Sequence, residues 1–232
     1  MMDMKSYMAE FIGTFALVFI GAGVVMLNGL TNGAILGITA IAFAHGLVLM
    51  SMIYALSHIS GAHFNPAVTI AMLAVNRIKL MPAVLYIIAQ LAGAVFASFL
   101  LLFIFNQLPL QTEIPPALIY GFSTSLSFQV GIPLEAVLTF FLVLTIFGTT
   151  VDSRATKGIH GFAIGLVLTF DILFAGAITG GAMNPARAFG PAVTSGIWNT
   201  QAIYWLGPII GALIAGLVYE YLFLEREKTK KK

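Results

Sequence analysis

The chain has 232 residues, 59% hydrophobic and only 9% charged, with a formal net charge of +2 and no cysteine. A soluble domain is usually about a quarter charged, so this composition excludes one, and the lack of cysteine excludes disulfide and thiol chemistry. Most of the positive excess sits in the final EREKTKKK and implies no nucleic-acid partner.

From Phe11 to Asn76 there is no Asp, Glu, Lys or Arg. A membrane-spanning helix needs roughly 20 apolar residues, so this run holds two, expected over Tyr7–Leu27 and Ile35–Ser57. The first lacks a clean cleavage site and reads as a retained span rather than a signal. A short apolar piece, Pro66–Asn76, follows, then a third span over Pro82–Phe105. After a connection over 106–132 come spans over Pro133–Val151 and Ile159–Ala177, a second short piece, Pro185–Gly196, and a sixth span over Gln201–Phe223. At about 1.5 Å per residue each short piece reaches roughly 17 Å, half a bilayer. Both begin with the same letters: Asn65-Pro66-Ala67 and Asn184-Pro185-Ala186.

That coincidence extends along the chain. GLVL occurs at 46–49 and again at 165–168, and the two Asn-Pro-Ala triplets share this spacing. So do Ser60-Gly61-Ala62 and Thr179-Gly180-Gly181; Tyr86 pairs with Tyr204, and Glu10-x-x-x-Thr14-Phe15 with Glu135-x-x-x-Thr139-Phe140. The chain reads as one channel domain made of two copies of a unit: helix, helix, half-helix, helix. The copies cover about 5–106 and 130–224, followed by a basic tail at 225–232. Three crossings per unit force the second copy upside down. Inverted repeats place their site near the midplane, between broken helices.

With both termini on the inner face, ten of the eleven basic residues fall on that side, including Lys5, Arg77, Lys79, Arg154 and Lys157. Arg187 breaks the rule. It lies in the second half-helix, on the outer side, with no other charge between Asp171 and Glu220. Asn65 and Asn184 read as N-caps with Pro66 and Pro185 at the first helical position. Meeting at the midplane, their side-chain N–H groups would point into a pore. The preceding loops, HISGAH and AITGGA, can expose carbonyls there. Glu10 and Glu135 are intramembrane acids at equivalent positions; such a pair is expected to accept hydrogen bonds from loop N–H groups and brace the loops. His63 either lines the inner vestibule or braces its loop. His58 is expected to pack structurally, and Asp171 to face the outer vestibule or a subunit contact.

SGAHFNPAVT and GGAMNPARAFGPAV, at matching repeat positions, resemble the paired signature of the aquaporin (major intrinsic protein) family. The resemblance covers the whole chain. It implies an all-α membrane fold of six spanning helices and two re-entrant half-helices, assembled as a homotetramer in the cell membrane with cytoplasmic termini. It implies a passive channel, not an enzyme, without cofactor or metal, for water and small neutral solutes. In that family the arginine after the second motif lines an aromatic/arginine filter; Arg187 matches it, and counting from the motifs makes the other filter positions His45, Ile172 and Gly181. This set is similar to that of some plant tonoplast intrinsic proteins, linked to water and ammonia, and suggests a somewhat wide aperture whose permeability depends on pH through His45. Glycerol channels of the family carry Asp and a basic residue where this chain has Ala188 and Ala192, and Pro-Leu where it has Tyr204-Trp205. Glycerol or small-polyol transport is therefore the alternative. A proton-coupled transporter would have to use Glu10 and Glu135.

Overall fold

The computed structural model describes residues 4–31, 33, 36–109 and 114–225. Beyond Glu225, the expected basic tail lies outside the described residues, as does part of each expected outer connection. The first copy comprises α1 (Met4–Leu30), α2 (Gly37–Ser60), α3 (Pro66–Ala74) and α4 (Leu80–Asn106). A short helix, α5 (Pro116–Tyr120), precedes the second copy: α6 (Phe128–Ile146), α7 (His160–Ala175), α8 (Pro185–Ser195) and α9 (Gln201–Val218). α6 and α9 each end in a π-helical turn, Phe147–Val151 and Tyr219–Phe223.

The layout agrees with the duplicated all-α expectation, with local differences. α6 begins at Phe128, ahead of Pro133, which the helix accommodates in its interior. α7 has 16 residues, about 24 Å at 1.5 Å per residue, and so is shorter than the other five long helices, each of which is long and apolar enough to cross a membrane. Its last stretch is instead a run of turns: the N–H groups of Thr179 and Gly180 both reach back to the Ala175 carbonyl. α5 had no sequence signal beyond Pro115-Pro116, which supplies its N-terminus.

Packing follows the duplication. α1 lies along α4 and α6 along α9, while α2 and α7 pair with each other between the copies. Small residues permit these contacts, since in lipid helix association relies on close backbone approach. A Cβ at Gly46 would sit 2.5 Å from the Gly165 carbonyl, and one at Gly165 would sit 2.6 Å from that of Gly46. Gly93 meets the Phe11 carbonyl as Gly211 meets that of Ala136. Each half-helix packs on the other copy, α3 against α9 and α8 against α4. Large apolar side chains such as Phe96, Phe99, Phe103, Phe170 and Phe174 point outward, an apolar jacket suited to lipid.

Candidate functional site

The site starts from two turns that sequence alone makes improbable. Ala62 and Phe64 have φ of 53° and 48°; Gly181 and Met183, their counterparts, have 56° and 51°. A non-glycine residue held left-handed costs about 1–2 kcal/mol. Two buried carboxylates collect the N–H groups these turns leave over. On α1, Glu10 Oε1 accepts from the Ser60 hydroxyl (2.6 Å) and His63 N–H (3.0 Å), and Oε2 from Phe64 N–H (2.7 Å) and Gln90 Nε2 (2.8 Å). On α6, Glu135 Oε1 accepts from the Thr179 hydroxyl (2.6 Å) and Ala182 N–H (3.0 Å), and Oε2 from Met183 N–H (2.7 Å). Tyr86 and Tyr204 donate to the Ser60 and Thr179 carbonyls at 2.8 and 2.7 Å.

The turns deliver two asparagines to one point. Asn65 Oδ1 caps α3 by accepting from Ala67 N–H (2.9 Å), and Asn184 Oδ1 caps α8 from Ala186 N–H (3.0 Å). Pro66 and Pro185 open the half-helices, with Ala67 and Ala186 fully buried behind them. Each carboxamide then reaches across the repeat boundary. Asn65 Nδ2 donates to the Met183 carbonyl (2.8 Å) and Asn184 Nδ2 to that of Phe64 (2.9 Å). One amide hydrogen therefore goes to the opposite loop, which the sequence reading did not foresee. The second remains, and both asparagines border a cavity.

That cavity is a narrow bore of about 40 Å³. Its walls are mostly apolar, with Leu49, Ile53, Leu142, Ile164 and Leu168 among them. Polar groups enter at His63, Asn65 and Asn184, and Arg187 borders its end. At the other end it meets a wider cavity of about 440 Å³ on the side of Asp152 and Lys157. Beyond Arg187 lies a pocket of about 10 Å³ lined by Tyr120, Phe122 and Pro191.

Arg187, 4% exposed, donates Nη1 to the Gly181 carbonyl and Nη2 to that of Gly180 (3.3 Å). Its guanidinium lies 5.0 Å from the Phe122 ring centre, a cation–π distance. Ile172 adjoins Gly181: a Cβ added there would sit 3.2 Å from Ile172 Cγ1. His45 Nδ1–H donates to the Ile41 carbonyl (2.8 Å), leaving Nε2 as an acceptor without a partner among the described residues. His45 and Ile172 are fully buried and border neither the bore nor the outer pocket. Arg187 borders both the bore and the outer pocket and so marks the neck between them.

His63 both lines the bore and joins a polar chain. Thr69 donates its only hydroxyl hydrogen to the Asn65 carbonyl (3.1 Å), so its oxygen accepts from His63 Nδ1–H (3.0 Å) and Gln90 Nε2 (3.0 Å). With that hydroxyl arrangement His63 Nδ1 is the donor and Nε2 is left as an acceptor. The sequence reading missed Gln90, Thr69 and Phe122. Gln90 had a signal: it is a lone amide in an apolar span where the second copy has Pro208. Phe122 had none, because it lies in an irregular connection. His58, expected to be structural, is exposed on α2. Asp171, expected at a vestibule or a subunit contact, is 2% exposed on the inward side of α7, with Oδ2 unpartnered among the described residues.

Two inverted units, each dropping a half-helix to a shared midplane point beside an apolar bore, define an aquaporin-like membrane protein. The chain belongs to the major intrinsic protein family, whose model matches residues 1–219. It is 40% identical over 225 residues to aquaporin TIP4-4 of Zea mays, covering 95% of this chain and 87% of that one. It is 42% identical over 229 residues to a probable TIP-type aquaporin of Medicago truncatula, covering 95% and 88%. In fold it is similar to the X-ray structure of the aquaglyceroporin from Plasmodium falciparum, with a TM-score of 0.81 and 25% identity over 94% of this chain and 96% of that one.

Proposed function

We propose that this protein is a passive transmembrane channel for water, with ammonia and other small neutral solutes as further cargo, and that it excludes ions and protons. The observation that carries this reading is the crossed pair of asparagine bonds, Asn65 to Met183 and Asn184 to Phe64, at the waist of an otherwise apolar bore. Water entering such a bore sheds its neighbours and regains partners only at fixed points. The second N–H of each asparagine donates to the passing oxygen, so that water at the waist turns its own hydrogens outward in both directions and a proton wire is interrupted. Two half-helix N-termini converge there, each equivalent to about half a positive charge. Arg187 adds a full charge at the neck, which repels cations.

Asn65 and Asn184, held by Pro66-Ala67 and Pro185-Ala186, form the waist; Glu10 and Glu135 brace the loops that present them. His45, Ile172, Gly181 and Arg187 form the filter, and His63 is a lumen acceptor on the inner side. The names of the TIP-type relatives support water as cargo, and the aquaglyceroporin neighbour supports only the glycerol alternative. The protein is a homotetrameric channel, not an enzyme, placed in the cell membrane with both termini inside; the distribution of basic residues supports that sidedness.

Stopped-flow light scattering on proteoliposomes tests this, comparing water, ammonia and glycerol. Water permeability well above protein-free vesicles, with no proton conductance, is expected. Permeability no greater than that of bare lipid would overturn the reading, and saturable proton-dependent flux would replace it with a coupled transporter.

A further inference from the structure

The wide inner cavity and the narrow bore share Ser57, Gly61, Thr150 and His160. At this ring a cavity of about 440 Å³ gives way to a bore of about 40 Å³. Water passing from one to the other leaves a roomy space for a confined one. The bore is also lined by Ile53, Ile146 and Ile164, which offer water no partner, so the polar side chains of the ring are placed to meet its first loss of neighbours.

The ring is built to meet it. His160 is the first residue of α7, and its Nε2 lies 3.4 Å from the Ser57 hydroxyl on α2. Tyr54 fixes its position: the ring centres are 5.6 Å apart, and the Tyr54 hydroxyl donates to the Gly158 carbonyl (3.2 Å) and accepts from Phe162 N–H (3.0 Å). Across the mouth, Thr150 donates its hydroxyl hydrogen to the Ile146 carbonyl (2.7 Å) within the π-helical turn. Its oxygen is thereby left as an acceptor for a water hydrogen.

We propose that Ser57, Thr150 and His160 form a second recognition station at the inner mouth, specific for small hydrogen-bonding solutes, with His160 as its determining residue. It acts in series with the neck at Arg187 and lowers the barrier to entering the apolar bore. It rests on the reading that the bore conducts water.

The test is water permeability and its temperature dependence in proteoliposomes carrying equal amounts of parent, His160→Leu, His160→Gln and Ser57→Ala protein. Leucine keeps the bulk but removes the partners; glutamine restores a polar group. His160→Leu should cut water permeability about fivefold, which corresponds to about 1 kcal/mol of barrier, and raise the activation energy. His160→Gln should stay within about twofold of the parent, and Ser57→Ala should fall between. All three should keep the parent's ratio of glycerol to water flux, because the neck is untouched. Parent flux equal to bare lipid would defeat the channel reading itself. A conducting parent with His160→Leu unchanged, or with His160→Leu and His160→Gln equally impaired, would overturn the station alone.

Discussion

Glu10 and Glu135 occupy equivalent places in the two copies, and their surroundings show where the copies agree and where they part. Both accept a hydroxyl and two loop N–H groups at nearly identical distances. Among the described residues only Glu10 has a fourth donor, Gln90, and through it a chain to Thr69 and His63. The second copy has Pro208, Ala188 and Ala182 at those positions, and spends its polarity on Arg187 where the first has Val68. Backbone N–H groups exist in both copies whatever the side chains, so the carboxylate is needed twice. Side chains bordering the bore are not dictated by the backbone and have diverged: a histidine, His63, in one copy and an arginine, Arg187, in the other.

Replacing each glutamate by glutamine sets the copies against each other most severely. The new amide nitrogen faces donors. At position 10, Gln90 can rotate and offer Oε1, which has no partner among the described residues; at position 135 no such amide is bonded. Glu135→Gln should therefore cost about 3 kcal/mol and Glu10→Gln about half that, on the scale of charge-assisted bonds. Thermal unfolding in detergent and abundance in the membrane read the difference. Equal losses would show that Gln90 gives no relief.

Arg187→Val makes the second copy match the first at that position. Cation leak should rise by about an order of magnitude, the factor produced by about 1.4 kcal/mol, with glycerol flux rising as well. Conductance across a planar bilayer measures the leak; unchanged exclusion would place the barrier at the half-helix N-termini alone.

Thr69→Ala makes the first copy match Ala188. His63 loses its acceptor and the Nε2 orientation that depends on it, so water permeability should fall about twofold, as expected for roughly half a net hydrogen bond. Stopped-flow against the parent decides this, and no change would mean that His63 is held by its edge-on contact with Tyr86.

The smallest effect concerns the mouth beside Asp152, where charge ties two ends of the second copy together and has no counterpart pair described in the first. Arg154 donates to Asp152, pairs with Glu225 and donates to the Phe223 carbonyl (2.7 Å), tying the α6–α7 loop to the end of α9. Hydrogen bonds from Arg154 hold the Asp152 carboxyl below the usual carboxylate range. With a depressed folded value, the clamp contributes fully above the ordinary aspartate pKa of about 3.9 and is lost as pH falls through the lower folded value. Unfolding between pH 7 and 5 should thus show no contribution from Asp152, with a loss appearing below about pH 4. Asp152→Asn should abolish that acid step, and an acid profile identical to the parent's would remove Asp152 from it.

The duplication, the lipid-facing composition, the two half-helices and the isolation of Arg187 were legible in the sequence, because each is a matter of period, length or spacing along the chain. The apolar runs had to be spans, since nothing else hides so many backbone amides in lipid. The filter positions given to His45, Ile172 and Gly181 rested on the family resemblance, counted from its motifs. What the chain could not show was which donors meet which acceptors. The crossed asparagine bonds join residues 118 and 120 apart in sequence, and each depends on a left-handed turn that Ala62, Phe64 and Met183 would not adopt on their own propensity. Phe122 reaches Arg187 from an irregular connection, and Ser57 meets His160 only because α2 and α7 cross at two glycines. Local pattern determines which segments enter the membrane; the partners inside it are settled by close packing, where side chains distant in sequence are the only ones left to satisfy a buried polar group.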